Sequence, residues 1–188
     1  MNIYIHGYTD SATRSKYDSQ HVDPDELRCL LSSVRAENLA VTKLVVGQRV
    51  IPLSYASHVR GWHPVGPGHP SVPFESKLEA STISSLAALR EFAGIQSQPV
   101  TVSYRWHNAT YTYTPDLRVQ LRVVPAQLRR LGFGSDTFVE VKPLKRAWCD
   151  QMALHRRFTA IRAATHLPIV LVTDHDLPHL LEEVRRGH

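Results

Sequence analysis

The chain has 188 residues, 43% of them hydrophobic, enough for one domain with a real core and too many for a disordered protein. No apolar run approaches the roughly 18–20 residues of a membrane span, so no membrane association is expected. The net charge of +5 lies wholly beyond Asp116: ten basic and ten acidic side chains balance up to that residue, whereas residues 118–162 carry ten Lys or Arg against Asp136, Glu140 and Asp150. Such a field draws in a polyanion, and a solvated basic surface accounts for the count equally well.

Ile3 and Ile5 alternate with Tyr4 and His6 as in a short strand, and residues 9–20 are polar and read as a loop. These opening residues lack the basic start and apolar stretch of a secretory signal. Asp23-Pro24-Asp25-Glu26 is a helix start, with Asp23 as N-cap, Pro24 in the first turn and Glu26 closing a capping box. Leu27, Leu30, Leu31 and Val34 then share one face. Leu44-Val45-Val46 and Val50-Ile51-Pro52-Leu53 predict a hairpin around Gly47-Gln48, with Pro52 confining its second arm to an edge. Residues 1–60 thus read as a small α+β extension. Residues 61–73, with four prolines and three glycines, read as a stiff connector to a domain over 74–188. His63 and His69 fall in that connector and read as surface residues. Cys29 and Cys149 are too far apart in sequence for a CxxC pair.

A helix is predicted over 75–93, with Leu78, Leu86 and Leu89 on its buried side and Gly94 as its stop. Glu75 and Glu79 lie four apart and share a face, where acids of a first turn also favour the helix dipole. Gln98-Pro99 introduces a strand over 100–106, His107-Asn108 a turn, and residues 111–119 a returning strand. A short helical insert is expected over 125–131 and a third strand over 137–142. Residues 144–165 read as one helix with a basic face of Lys145, Arg146, Arg156, Arg157 and Arg162. A buried strand over 168–173 leads through Asp174-His175-Asp176, read as a polar turn, into a last helix over 177–186.

The chemistry concentrates between Tyr113 and Pro143. Alternation places Glu140 and Lys142 on one side of their strand and Val139 and Val141 on the other. If the strand carrying Asp116 lies beside it, two carboxylates and an ammonium meet, a grouping suited to a hard divalent cation and a phosphate. The motifs Glu75-Ser-Lys-Leu-Glu79, Gln98-Pro99, Tyr113-Thr-Pro-Asp116 and Phe138-Val-Glu-Val-Lys-Pro143 follow in order, with a basic helix and an apolar strand behind them. In that order and spacing the chain resembles the PD-(D/E)xK nucleases, and most closely the catalytic domain of TnsA, the endonuclease subunit of heteromeric transposases.

The resemblance implies an α/β fold with a restriction-endonuclease-like core, a mixed central sheet flanked by helices. It implies a Mg²⁺-dependent DNA endonuclease holding one or two ions, with Mn²⁺ as a substitute, in a prokaryotic or phage-encoded cytoplasmic protein. Glu79, Asp116 and Glu140 match the metal ligands and Lys142 the catalytic lysine. Glu75 and Gln98 are possible auxiliaries, and Lys145, Arg146, Arg156 and Arg157 are candidates for DNA contact. The partners implied are DNA and a transposase subunit. A stand-alone structure-specific, phage or restriction-type nuclease has the same core, and a non-catalytic DNA-binding protein that keeps the fold is the alternative from another class.

Overall fold

The structure, a computed structural model, describes residues 22–33, 38–47, 59–178 and 180. The predicted first strand, the loop over 9–20 and the second arm of the predicted hairpin lie outside these residues, as does most of the last predicted helix. The protein is a mixed α/β chain. Helix α1 (Pro24–Ser33) and strand β1 (Leu39–Val46) precede a short pair, β2 (Gly61–His63) and β3 (Val72–Phe74). Helix α2 (Lys77–Ala87) leads into β4 (Phe92–Ser97), β5 (Val100–Trp106), β6 (Ala109–Tyr113) and β7 (Leu117–Leu121). Then come α3 (Ala126–Arg130), β8 (Asp136–Val141), α4 (Leu144–Cys149), α5 (Gln151–Thr165) and β9 (Ile169–Val172).

The central sheet has four strands in the order β4-β7-β8-β9, antiparallel except for the parallel β8–β9 step. Its two faces are sorted by the period of two along each strand. On β8, Val139 and Val141 join Ile83 and Leu86 of α2 in one core, while Phe138 joins Leu154, Phe158 and Ile161 of α5 in the other. Glu140 therefore opens towards the α5 side, as the alternation predicts.

Several expectations are corrected by tertiary contacts. The helix predicted over 75–93 ends at Ala87, and Phe92 and Ala93 belong to β4, where Phe92 pairs opposite Leu121. The strand expected over 111–119 is two strands in different sheets. β6 pairs with β5, and β7 pairs with β4 and β8. The break falls at Thr114-Pro115-Asp116, where proline offers no N–H to either ladder. The single helix over 144–165 is divided at Asp150, whose φ of −95° and ψ of 7° leave helical geometry.

The first sixty residues are not set apart where they are described. β1 pairs along its length with β5, and Leu27 and Leu31 of α1 share the core that α5 closes. The ends of the proline-rich stretch also pair, Gly61 with Phe74 and His63 with Val72, so it is a hairpin rather than an irregular connector. His69 packs edge-on to Phe92 with ring centres 5.3 Å apart. Both cysteines are exposed and free. Among the described residues no helix is long and apolar enough to cross a membrane.

Candidate active site

The register of the central sheet brings the acidic residues together. Leu117 pairs with Val139 across β7 and β8, which sets Asp116 opposite Glu140 one step further along the antiparallel ladder. On the other side Ser97 pairs with Leu117, and the Gln98 N–H donates to the Asp116 carbonyl at 2.8 Å. Asp116 is anchored through Oδ2, which accepts the Val141 N–H at 2.7 Å. Glu140 is anchored through Oε2, which accepts the Tyr113 hydroxyl at 2.7 Å.

Between the two carboxylates lies a cavity of about 230 Å³ lined by Thr112, Tyr113, Thr114, Asp116, Glu140 and Arg157. The lining follows from the break after β6: leaving one sheet for another, the chain turns Thr112 to Asp116 around the cavity wall. The Thr114 hydroxyl lies 2.8 Å from that of Thr101 and pins this crossing to β5.

The electrostatics of the pair are unfavourable without a cation. Burial, then repulsion from Glu140 and from Glu79, pushes the Asp116 carboxyl well above the ordinary carboxylate range, against the Val141 N–H and Lys142. Part of Asp116 faces the cavity, although protein surrounds it on nearly every other side. Burial also raises Glu140, opposed by the Tyr113 hydroxyl, Lys142 and Arg157. The Tyr113 phenol is held well above its usual value, first by burial and then by the charge of Glu140. It is a proton donor to Glu140 throughout the physiological range.

Lys142 Nζ lies 3.9 Å from Glu140 Oε1 and 3.1 Å from Asp150 Oδ2. Its tighter partner is thus Asp150, which also takes Arg146 Nε at 3.2 Å. Burial tends to raise the Asp150 carboxyl, but the hydrogen bond and charge of Lys142, with Arg146 behind, bring it below the usual range. Asp150, which the motif alone does not single out, holds the lysine beside Glu140.

Glu79 approaches from the N-terminus of α2, with both oxygens engaged at its own helix end. Oε2 accepts the Glu75 N–H at 2.9 Å, and Oε1 accepts the Ser76 hydroxyl at 3.0 Å. Ser76 in turn caps the helix by accepting the Glu79 N–H at 3.1 Å, a variant of the capping box in which Glu79 reaches the N–H before the cap rather than that of the cap itself. Burial raises the Glu79 carboxyl, and the bonds from Glu75 and Ser76 oppose it. Glu79 is therefore near enough to repel Asp116 and Glu140, while its own oxygens serve the helix end. Among the described residues no three His, Cys, Asp or Glu side chains converge to hold a metal ion.

The remaining candidates fall outside the cavity, with one exception. Glu75 faces Arg60 at 3.6 Å. Gln98 follows β4 in a left-handed conformation, φ 47°, and does not line the cavity; its buried amide oxygen has no partner among the described residues. Lys145 is exposed, and the Arg156 guanidinium stacks 4.1 Å from the centre of the Trp106 ring. Arg157, the exception, sits 5.5 Å over the Tyr113 ring with its head group in the cavity wall. Tyr113 opens the Tyr113-Thr-Pro-Asp116 motif, whose spacing assigns it no role. Its partner became visible only when the strand break aimed it at β8.

The Asp174-His175-Asp176 turn is structural. Asp174 Oδ1 accepts the Leu144 N–H at 2.8 Å, and Asp176 Oδ2 accepts both the N–H and the hydroxyl of Thr173 at 2.8 Å. Asp176 also pairs with Arg28, tying α1 to the turn after β9.

No protein-family model matches the sequence, and no curated protein matches it either.

Proposed function

We propose that the chain is a Mg²⁺-dependent DNA endonuclease of PD-(D/E)xK type, with a restriction-endonuclease-like core like that of TnsA. The observation that carries this reading is Asp116, just before β7, set opposite Glu140 of β8 by the register of the two strands, with Lys142 Nζ 3.9 Å from Glu140. The mixed sheet with a helix-built core on each face supports the fold assignment.

The donor set fits a hard cation. A buried Glu140 carboxylate and a half-buried Asp116 carboxylate face one another, each with one oxygen outside the hydrogen bonds that anchor it, and a divalent charge relieves their repulsion. Mg²⁺ commonly takes one or two carboxylates and fills its shell with water and phosphate oxygens, so Asp116 and Glu140 suffice to hold it. Glu79 then stays on its cap and adds negative charge from a distance. When bound, the ion supplies acidification of water and offsets charge on the phosphate.

The protein's own groups do the positioning. Lys142 orients the attacking water from the Glu140 side, its ammonium steadied by Asp150. Tyr113 holds the Glu140 carboxylate in one rotamer. The water oxygen bonds to phosphorus as the bond to the 3′-oxygen breaks. One proton leaves to solvent and the departing oxygen takes one up, giving 5′-phosphate and 3′-hydroxyl ends.

The test is nicking of supercoiled plasmid and cutting of end-labelled duplex with Mg²⁺ or Mn²⁺, comparing the native chain with Asp116→Ala. Metal-dependent cleavage lost in the variant supports the reading. Cleavage by the chain alone favours a stand-alone nuclease, whereas cleavage only with an added transposase subunit favours the TnsA-like role. DNA binding with neither Mn²⁺ binding nor cleavage under any of these conditions would instead make it a binding protein on a nuclease fold.

A further inference from the structure

We propose that Arg157 is the phosphate-binding residue of the carboxylate cavity, gripping the non-bridging oxygens of the phosphodiester. The proposal rests on the nuclease reading for the identity of the substrate, and on the cavity itself for the site. Leu154, Phe158 and Ile161 bury one face of α5, and Arg157 lies three residues after Leu154 and four before Ile161, at the edge of that face. From there its guanidinium crosses the Tyr113 ring and reaches the wall that Asp116 and Glu140 also form.

A phosphate entering this cavity meets two carboxylates and requires a positive charge in contact with it. Among the lining residues Arg157 is the one cation. Lys142 is drawn to Asp150 at 3.1 Å and does not line the cavity. No ion pair among the described residues engages the Arg157 head group, although the field of that group reaches Glu140 and Tyr113. A guanidinium presents paired N–H donors in a plane matched to phosphate oxygens and stays protonated at any working pH. Its part is therefore electrostatic, without proton transfer. Arg156, one residue earlier, points to Trp106 instead and has no place in the wall.

The experiment has two arms on the full chain. In the first, inorganic phosphate is titrated in the presence of Mg²⁺ while the arginine Nε–H signals are followed by NMR. A saturable shift of the Arg157 signal is expected, with phosphate binding weakened at least about tenfold in Arg157→Ala. Arg157→Lys, which keeps the charge and loses the fork, falls between. Equal phosphate affinity in native and Arg157→Ala proteins, or none in the native protein, overturns the proposal whatever the cleavage result.

In the second arm, single-turnover cleavage and Ca²⁺-supported duplex binding are compared. The rate should fall about a hundredfold in Arg157→Ala, with duplex affinity changed less than about threefold. A loss confined to duplex affinity, with a shallower salt slope, places Arg157 on the flanking backbone and also overturns it. Phosphate capture by Arg157 in a chain that cuts no DNA supports the phosphate site and defeats the nuclease reading alone.

Discussion

The hydroxyl of Tyr113 donates a 2.7 Å hydrogen bond to Glu140 Oε2, joining the last residue of β6 to the next-to-last residue of β8 across two different sheets. This one contact defines where the acidic cavity lies. It leaves Glu140 Oε1 facing Lys142 and keeps a buried phenol protonated. Replacing Tyr113 by Phe leaves a buried carboxylate oxygen unpaired. A loss of about 1–3 kcal/mol is expected in denaturant unfolding at neutral pH. Most of that loss should vanish in a Glu140→Gln background, and a double-mutant cycle with no coupling would place the Glu140 charge elsewhere.

Asp116 makes stability depend on pH in a stated direction. Its carboxyl is raised by burial and by Glu140 and Glu79, so the folded state holds the proton more tightly than the unfolded chain. The stability it contributes is complete below the unfolded pKa and is lost as pH rises through the folded one. Without divalent cations, the native protein should therefore lose stability as pH rises above the ordinary carboxylate range, and Asp116→Asn should lose less of it. Melting curves that run parallel for the two proteins contradict the assignment. Added Mn²⁺ should stabilise the native protein and leave the variant unmoved.

Lys142 separates binding from turnover. Its ammonium stands 3.9 Å from Glu140 and is not itself a ligand, so Lys142→Ala should retain Mn²⁺ binding while cleavage falls at least about a hundredfold. Calorimetric titration beside a single-turnover assay tests both halves. If Mn²⁺ binding disappears as completely as in Asp116→Ala, the lysine supports the metal site rather than the water.

Asp176 provides the contrast of an acid that serves the fold. It is buried, accepts two bonds from Thr173 and pairs with Arg28. Asp176→Ala should cost about 1–3 kcal/mol in chemical unfolding, because it leaves the Thr173 N–H and hydroxyl without their acceptor and leaves Arg28 with the exposed Asp25 as its carboxylate partner. Metal affinity of the fraction that remains folded should be unchanged. A stable Asp176→Ala protein with weakened Mn²⁺ binding would assign the acidic turn to the site after all.

The parts of the fold legible in sequence are those set by local chemistry. Alternation around Glu140 and the strand near 100–106 needed only the period of two, and the strand at 169–172 only a short continuous apolar run. The turn at His107-Asn108 and the short helix before Gly132 came from turn and stop residues. The helix that ended early at Ala87 is different: Phe92 and Ala93 are compatible with either structure, and pairing opposite Leu121 decided for a strand. Likewise, residues 111–119 read as one strand until two sheets competed for their hydrogen bonds.

The sequence by itself determined which side chains were available for chemistry and on which side of a strand Glu140 would stand. It did so because side-chain alternation is a property of the local backbone. Tertiary contacts alone decided that Asp116 faces Glu140, that Glu79 serves its own helix end, that Lys142 pairs with Asp150 and that Arg157 reaches the cavity. Each of these is a choice between partners far apart in the chain. Sheet register and helix packing make that choice, and no local pattern encodes it.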